Sequence, residues 1–158
     1  MQGDREIRLD ISVEVAPVLE ARGIRPEDIR GVIGSANETG NLYVHRTSGR
    51  CLAYFTPSTT TYWVEFDRNG DSYRVYTAYS HRMEILHGFN MEAKRKETSE
   101  WTCMKCDRPL ELATVKLKYM EETFGVDIPA CPVCQRIFVS EQDATEKMAL
   151  AEKMLEDK

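Results

Sequence analysis

Two pairs of cysteines in the C-terminal third of the chain are the residues best suited to chemistry. Cys103 and Cys106 form one Cys-x-x-Cys pair, and Cys131 and Cys134 form a second pair after the segment 107–130. Two residues between paired cysteines let a tight turn direct both sulfurs toward one metal ion, and two such turns complete a tetrahedron. The spacing therefore predicts one metal site with all four cysteines as ligands.

Other roles for the two pairs fit the sequence less well. A thioredoxin-like redox pair needs a β-α-β context that the sequence lacks, and disulfides need an oxidising compartment. Four thiolates suit a structural zinc ion and also a single iron, which would permit one-electron transfer. Rubredoxin-type turns usually have glycine after the second cysteine of each pair, where this chain has Asp107 and Gln135. This departure favours zinc and leaves iron as the alternative.

The remaining reactive side chains are few and scattered. His45, His81 and His87 are too far apart in sequence to predict a metal cluster, and we interpret them as surface or core residues. Segment 81–84 combines His, Arg and Glu at a strand end, so a small acid–base or anion-binding site there is the enzyme alternative. Cys51 has apolar neighbours and no evident cationic partner, which indicates an inert core thiol. We predict no catalytic and no cofactor-binding residues.

The composition excludes several classes of protein. The chain has 158 residues, 42% of them hydrophobic, which is enough for a folded core. Its net charge of −5 shows no basic footprint for nucleic acid. No apolar run approaches the roughly 18 residues of a membrane span, and no apolar region follows the charged N-terminus. We expect a cytoplasmic protein.

The elements upstream of the cysteines predict an antiparallel sheet with two helices. Helices are expected from about Ala16, because Pro17 fits only a first turn, and from Pro26 to Ile33. From Leu42 onward the apolar period becomes two, which predicts strands over 42–46, 51–56, 60–67 and 72–82. One face of this sheet should pack on the helices. Trp63 and Tyr76 would then belong either to a half-buried sheet or to a partner-binding face.

The elements around the cysteines predict a ribbon that ends in a helix. We expect a strand over 110–120, a turn at Gly125 and Asp127, and a strand over 136–139. Ser140 should cap a C-terminal helix, whose apolar stripe is Ala144, Met148, Ala151 and Leu155. The stripe packs either on the ribbon or on a partner subunit.

A polar run over 91–100 marks the expected domain boundary, with an exposed helix as the alternative. The predicted fold class is α+β, with an α+β module over 1–95 and a four-cysteine, zinc-ribbon or rubredoxin-like domain over 96–158. The second domain is so small that metal binding should supply much of its folding free energy.

The cysteine-rich part resembles a known family at segments 101–106 (WTCMKC), 109–112 (PLEL), 129–134 (PACPVC) and 153–158 (KMLEDK). The family comprises short double Cys-x-x-Cys proteins of anaerobic bacteria that are generally labelled redox proteins. The resemblance implies that the four cysteines are metal ligands. It also implies an accessory or electron-transfer role beside flavin-dependent pyridine nucleotide-disulfide oxidoreductases and molybdenum-hydroxylase systems.

The N-terminal part is similar to an extra domain associated with the same oxidoreductases, at segments 28–29 (DI), 62–65 (YWVE) and 79–83 (YSHRM). Together these observations predict a non-enzymatic accessory protein that binds zinc and docks to an oxidoreductase in anaerobic redox metabolism. The first alternative is a rubredoxin-like electron carrier with iron at the same cysteines. The second is a small enzyme that acts through His81.

Overall fold

A computed structural model describes residues 7–86 and 93–156 of the protein. Its strands are β1 (Arg8–Ile11), β2 (Tyr43–His45), β3 (Cys51–Phe55), β4 (Thr61–Asn69), β5 (Ser72–His81), β6 (Glu84–Ile85), β7 (Ala93–Cys103), β8 (Arg108–Tyr119) and β9 (Glu122–Ala130). Its helices are α1 (Ala16–Ala21), α2 (Pro26–Thr39), a π-helical segment (Asp143–Met148) and α3 (Ala149–Glu156). None of the described helices is long and apolar enough to cross a membrane.

All the strands belong to one mixed sheet. Their order is β1-β5-β4-β3-β2-β7-β8-β6, and β9 pairs with β8. The pairing is antiparallel except between β1 and β5. Strand β2 joins the two halves, because Tyr43 lies opposite Leu52 of β3 on one side and opposite Cys103 of β7 on the other. The strand that ends at the first cysteine is therefore part of the same sheet as the N-terminal strands.

Helices α1 and α2 cover one face of strands β3 to β5, as predicted. Helix α1 begins at Ala16, with Pro17 in its first turn, and α2 ends at Thr39, before the C-cap residue Gly40, whose φ of 76° allows the chain to turn. The buried residues of this core come from both layers: Leu19, Ile24, Ile29, Val32, Ile33 and Ala36 from the helical side, and Ala53, Val64, Phe66, Val75 and Ala78 from the sheet.

A β-bulge in β5 changes which side chains face the helices. Glu65 lies opposite Thr77 and Phe66 lies opposite Val75, so Tyr76 is the extra residue. Val75 and Ala78 therefore both lie on the helical side, whereas simple alternation predicts that Val75 and Tyr79 share a face. The bulge turns Tyr79 toward the opposite face, which packs against the C-terminal part of the chain.

The second core lies on that opposite face and contains residues from both halves of the sequence. Trp63 and Tyr79 pack there with the strands β8 and β9 and with the C-terminal segment. The Tyr79 hydroxyl donates to the carbonyl of Val139 at 2.7 Å, and the Tyr43 hydroxyl donates to the carbonyl of Ile137. The C-terminal segment is thus anchored to the centre of the N-terminal strands.

The predicted α+β class needs correction, because the described fold is mostly sheet. Long strands account for the difference. Strand β7 covers positions 93–100 of the polar run, which was expected to be a boundary or a helix, and β9 contains Gly125 and Asp127, which were expected to form a turn. The β8–β9 turn lies instead at Met120 and Glu121, next to the paired residues Tyr119 and Glu122. The division into domains 1–95 and 96–158 stays a prediction.

The C-terminal helix begins as predicted. The Ser140 hydroxyl accepts a hydrogen bond from the Asp143 amide at 3.0 Å, which is an N-cap contact. Ala144 and Met148 of the predicted stripe are buried. The π-helical segment packs against β5, and the stripe also shares a core cluster with residues of β8 and β9, so the predicted packing on the ribbon describes part of its environment.

Candidate metal centre

The first Cys-x-x-Cys pair is the turn of the β7–β8 hairpin. Residues 103–108, which we call the first knuckle, connect the paired residues Cys103 and Arg108. The Asp107 amide donates to the Cys103 carbonyl at 2.8 Å, and the Met104 amide donates to the Leu42 carbonyl at 2.9 Å. Paired strands on both flanks therefore fix this knuckle, although the β7–β8 pairing has register shifts farther from it.

The second pair follows the end of β9. Residues 131–136 form the second knuckle, in which the Gln135 amide donates to the Cys131 carbonyl at 2.9 Å. The Cys131 amide donates to the Arg136 carbonyl at 2.8 Å. Beyond the knuckle, the expected strand over 136–139 is reduced in the described residues to a bridge between Ala130 and Ile137. This knuckle is held by fewer sheet contacts than the first.

The two knuckles have the same backbone conformation at the residue after the second cysteine. Asp107 has a φ of 54° and Gln135 a φ of 64°, in the left-handed region that glycine prefers. The absence of glycine therefore does not prevent the tight turn. As a result, these two positions no longer favour zinc over iron.

The two knuckles bring the four cysteine sulfurs together. The ligand atoms of Cys103, Cys106, Cys131 and Cys134 all lie within 4.8 Å of one another, and the sulfurs of Cys103 and Cys134 are 3.8 Å apart. Sulfurs bound at about 2.3 Å to a tetrahedral metal are separated by about 3.8 Å. The four cysteines are close enough to hold one metal ion, and the spacing fits zinc and iron equally.

Backbone amides point at the sulfurs. The Val133 amide donates to the Cys131 sulfur at 3.4 Å. Burial raises the pKa of Cys131, but hydrogen bonds from the Cys134 and Val133 amides outweigh it and lower that pKa below its usual value. Burial raises the pKa of the Cys103 thiol, and the Cys106 amide opposes this shift. These amides stabilise the thiolate form, which is the form that binds a metal.

Aromatic residues of the N-terminal strands form the base of the site. The Tyr54 ring stacks on Trp63 at a centroid distance of 4.4 Å, and Trp63 stacks on Tyr79 at 6.1 Å. Trp63 is fully buried, so its interpretation as a partner-binding residue is wrong. Tyr76, the other candidate, is half-buried, and its hydroxyl donates to Asp67 at 2.5 Å.

His81 is a buried structural residue. Trp63 Nε1 can only donate, so His81 Nε2 accepts its hydrogen bond at 3.0 Å, and His81 Nδ1 donates to the Met83 carbonyl at 3.0 Å. Burial lowers the pKa of His81 to about 4. Both ring nitrogens are engaged, which removes the acid–base role considered from the sequence.

Segment 81–84 does bind an anion, as considered from the sequence, but this anion is the carboxylate of Glu152 in the same chain. Glu152 is buried and accepts hydrogen bonds from the amides of Arg82 at 2.7 Å and Met83 at 3.0 Å. The Arg82 guanidinium adds an ion pair at 3.3 Å. A cleft of about 450 Å³ lies beside these residues, and its walls include Arg22, Thr60, Ser80 and Thr145. The contact ties the C-terminal helix to the end of β5.

Among the described residues, His45 and Cys51 do not belong to the group of four sulfurs. His45 contacts Glu100 at 3.2 Å and accepts a hydrogen bond from the Ser48 amide at 3.1 Å. His87 lies outside the described residues. Burial raises the pKa of Cys51, with a smaller effect from Asp67, as expected for an unreactive thiol.

Sequence reasoning missed Tyr54 and Arg136, because no motif links them to the cysteines.

Comparison with known proteins gives one match. A family model described as "Domain of unknown function (DUF7479)" matches residues 99–158. No curated protein and no solved structure matches the chain. The matched segment contains both knuckles and the C-terminal helix, which is the part of the chain that supplies all four sulfurs.

Proposed function

We propose that the protein is a non-enzymatic zinc-binding protein, with Cys103, Cys106, Cys131 and Cys134 as the ligands. The observation that supports this proposal is the convergence of four sulfurs within 4.8 Å from two separate knuckles. Four thiolates satisfy a tetrahedral ion completely and leave no open position for a substrate, as in structural zinc sites. When bound, zinc supplies a rigid cross-link between the two knuckles.

Metal analysis of the purified protein tests this proposal. We expect one zinc per chain after purification without oxygen, and loss of that zinc in Cys106→Ser and Cys134→Ser variants. Cys51→Ala is the matched control, because Cys51 is outside the group of four sulfurs. Full metal content in the double variant Cys106→Ser/Cys134→Ser, or its loss in Cys51→Ala, would contradict the ligand set.

Iron at the same cysteines, acting in one-electron transfer, is the second candidate. Two observations favour it: amide hydrogen bonds to the sulfurs, which tune the potential of iron–sulfur sites, and the partial exposure of Cys106 and Cys134. The visible spectrum of protein purified without oxygen separates the candidates, since an iron–thiolate centre is coloured and reversibly bleached by reduction. A colourless protein with full zinc content would exclude the carrier.

A role in the cytoplasm, by docking to a flavin-dependent pyridine nucleotide-disulfide oxidoreductase in anaerobic redox metabolism, completes the proposal and rests on the resemblance. The exposed tips of the knuckles give docking a surface, since Met104 is 60% exposed and Val133 is 58% exposed. We expect titration calorimetry with such an oxidoreductase to detect binding that Met104→Gln/Val133→Gln weakens. The matched control is Leu150→Gln/Met154→Gln, which changes exposed residues of α3. Equal binding by both variants would reject the knuckle surface.

A further inference from the structure

Arg136 is placed to act on the metal centre without being a ligand. It is the last residue of the second knuckle, and its carbonyl accepts the Cys131 amide at 2.8 Å. Burial raises the pKa of Cys134 to about 12, and the backbone of Arg136 opposes this shift. Arg136 therefore lies next to both cysteines of the second knuckle.

The side chain of Arg136 contacts an aromatic ring. It lies over the ring of Tyr54, with 5.8 Å between the guanidinium carbon and the ring centroid. Among the described residues, several arginines form ion pairs with carboxylates, whereas Arg136, like Arg68, lies over a tyrosine ring. Within the part of the chain that the structure describes, no carboxylate forms an ion pair with Arg136.

Tyr54 holds the positive charge of Arg136 beside the second knuckle, because Arg136 follows Cys134 by two residues and lies over the Tyr54 ring. Burial raises the pKa of Tyr54, and the positive charge of Arg136 lowers it. The Tyr54 ring is fixed from below by Trp63, its cross-strand neighbour. The stacked rings of Tyr54 and Trp63, which we call the aromatic platform, therefore hold the Arg136 guanidinium beside the site.

A divalent ion with four thiolates carries a net charge of −2 in a partly buried place, where an uncompensated charge is costly. We propose that Arg136, held by Tyr54, is the counter-cation of the metal–thiolate centre and positions the second knuckle for metal binding. This inference rests on the proposed metal site. Groups that contact a metal's ligands from outside typically change its affinity by about 10–100-fold.

The experiment measures zinc affinity of the full-length protein by competition with a chromophoric chelator. Arg136→Met should weaken binding about 10–100-fold, Arg136→Lys should restore part of the loss, and Tyr54→Leu should weaken binding by removing the platform. Arg108→Met is the matched control, since Arg108 is an exposed cation at the edge of the first knuckle, and it should change the affinity less than threefold.

A charge effect must also depend on salt. The affinity difference between the wild-type protein and Arg136→Met should shrink as the salt concentration increases, which a purely structural loss would not do. Equal affinities of Arg136→Met and Arg108→Met, or a salt-independent difference that Arg136→Lys does not reduce, would overturn the inference. A wild-type protein that binds no zinc would instead reject the proposed function.

Discussion

The two knuckles share a conformation but are held in different ways. The first is the turn of the β7–β8 hairpin and has sheet on both flanks, including the pair of Cys103 with Tyr43. The second follows a strand end and is held by the Ala130–Ile137 bridge and by Arg136. The sheet therefore fixes the first knuckle before a metal binds, whereas the conformation of the second knuckle depends on the metal itself and on side-chain contacts.

Removal of the metal should expose this difference most strongly. Structural zinc contributes about 10–16 kcal/mol of apparent binding free energy in small zinc domains, so its loss is the largest change that we predict. In chelated protein, hydrogen exchange should accelerate over 131–139 and in α3, while amides of the first knuckle that bond into the sheet stay protected. Trp63 fluorescence should also change, because Trp63 lies under Tyr54. Equal acceleration in both knuckles would contradict the asymmetry.

Acidification should destabilise the fold around His81, which accepts a hydrogen bond from Trp63 of the aromatic platform. The pKa of His81 is about 4 when folded and about 6.5 when unfolded, so the unfolded state binds the proton first as the pH falls. The contribution of His81 to stability is therefore complete above pH 6.5 and decreases by about 3 kcal/mol as the pH falls to 4.

The measurement is urea unfolding at several pH values between 7 and 4, with metal content checked at each. His81→Gln is the control that isolates this group from other acids and from metal release. Its stability should vary less with pH than that of the wild-type protein by about the same 3 kcal/mol. Parallel pH profiles would show that His81 protonation is not coupled to folding.

Loss of the hydrogen bond from Tyr79 to Val139, beyond the second knuckle, should lower the stability of the protein by a smaller amount. Tyr79→Phe leaves the Val139 carbonyl without its donor, which costs about 1–3 kcal/mol for a buried group. Tyr73→Phe is the matched control, because the Tyr73 hydroxyl accepts an exposed hydrogen bond from Asn37, and it should cost less than about 0.5 kcal/mol. Thermal unfolding of the metal-loaded proteins measures both. Similar costs would mean that the C-terminal segment is not held by Tyr79.

Patterns with strong local signals were predictable from the sequence. Cysteine spacing identified the four residues whose sulfurs converge, and Pro17 fixed the start of α1. Ser140 correctly marked the C-terminal helix. Each of these features is decided within a few residues, by turn geometry, proline sterics or capping.

Features that depend on distant contacts were not predictable. Nothing local shows that β5 contains a bulge at Tyr76, so simple alternation places Val75 and Tyr79 on one face, whereas the fold places them on opposite faces. Gly125 gave a false turn signal, because Met120 forms the actual turn with a φ of 57°, a conformation that methionine rarely adopts. The placement of Arg136 over Tyr54 joins residues 82 positions apart, and only the folded sheet brings them together.

The smallest predicted effect concerns Asp107 and Gln135, which have a left-handed backbone conformation at the same position of the two knuckles. A left-handed conformation costs a non-glycine residue about 1–2 kcal/mol, and aspartate tolerates it better than glutamine. Gln135→Gly should therefore stabilise the metal-loaded protein by about 0.5 kcal/mol, after the entropic cost of glycine in the unfolded chain is subtracted. Asp107→Gly should be nearly neutral, since its strain is smaller and the sheet already fixes its knuckle. Urea unfolding of both variants at saturating zinc measures the difference, and an Asp107→Gly gain equal to or above that of Gln135→Gly would show that the second knuckle is not the more strained of the two.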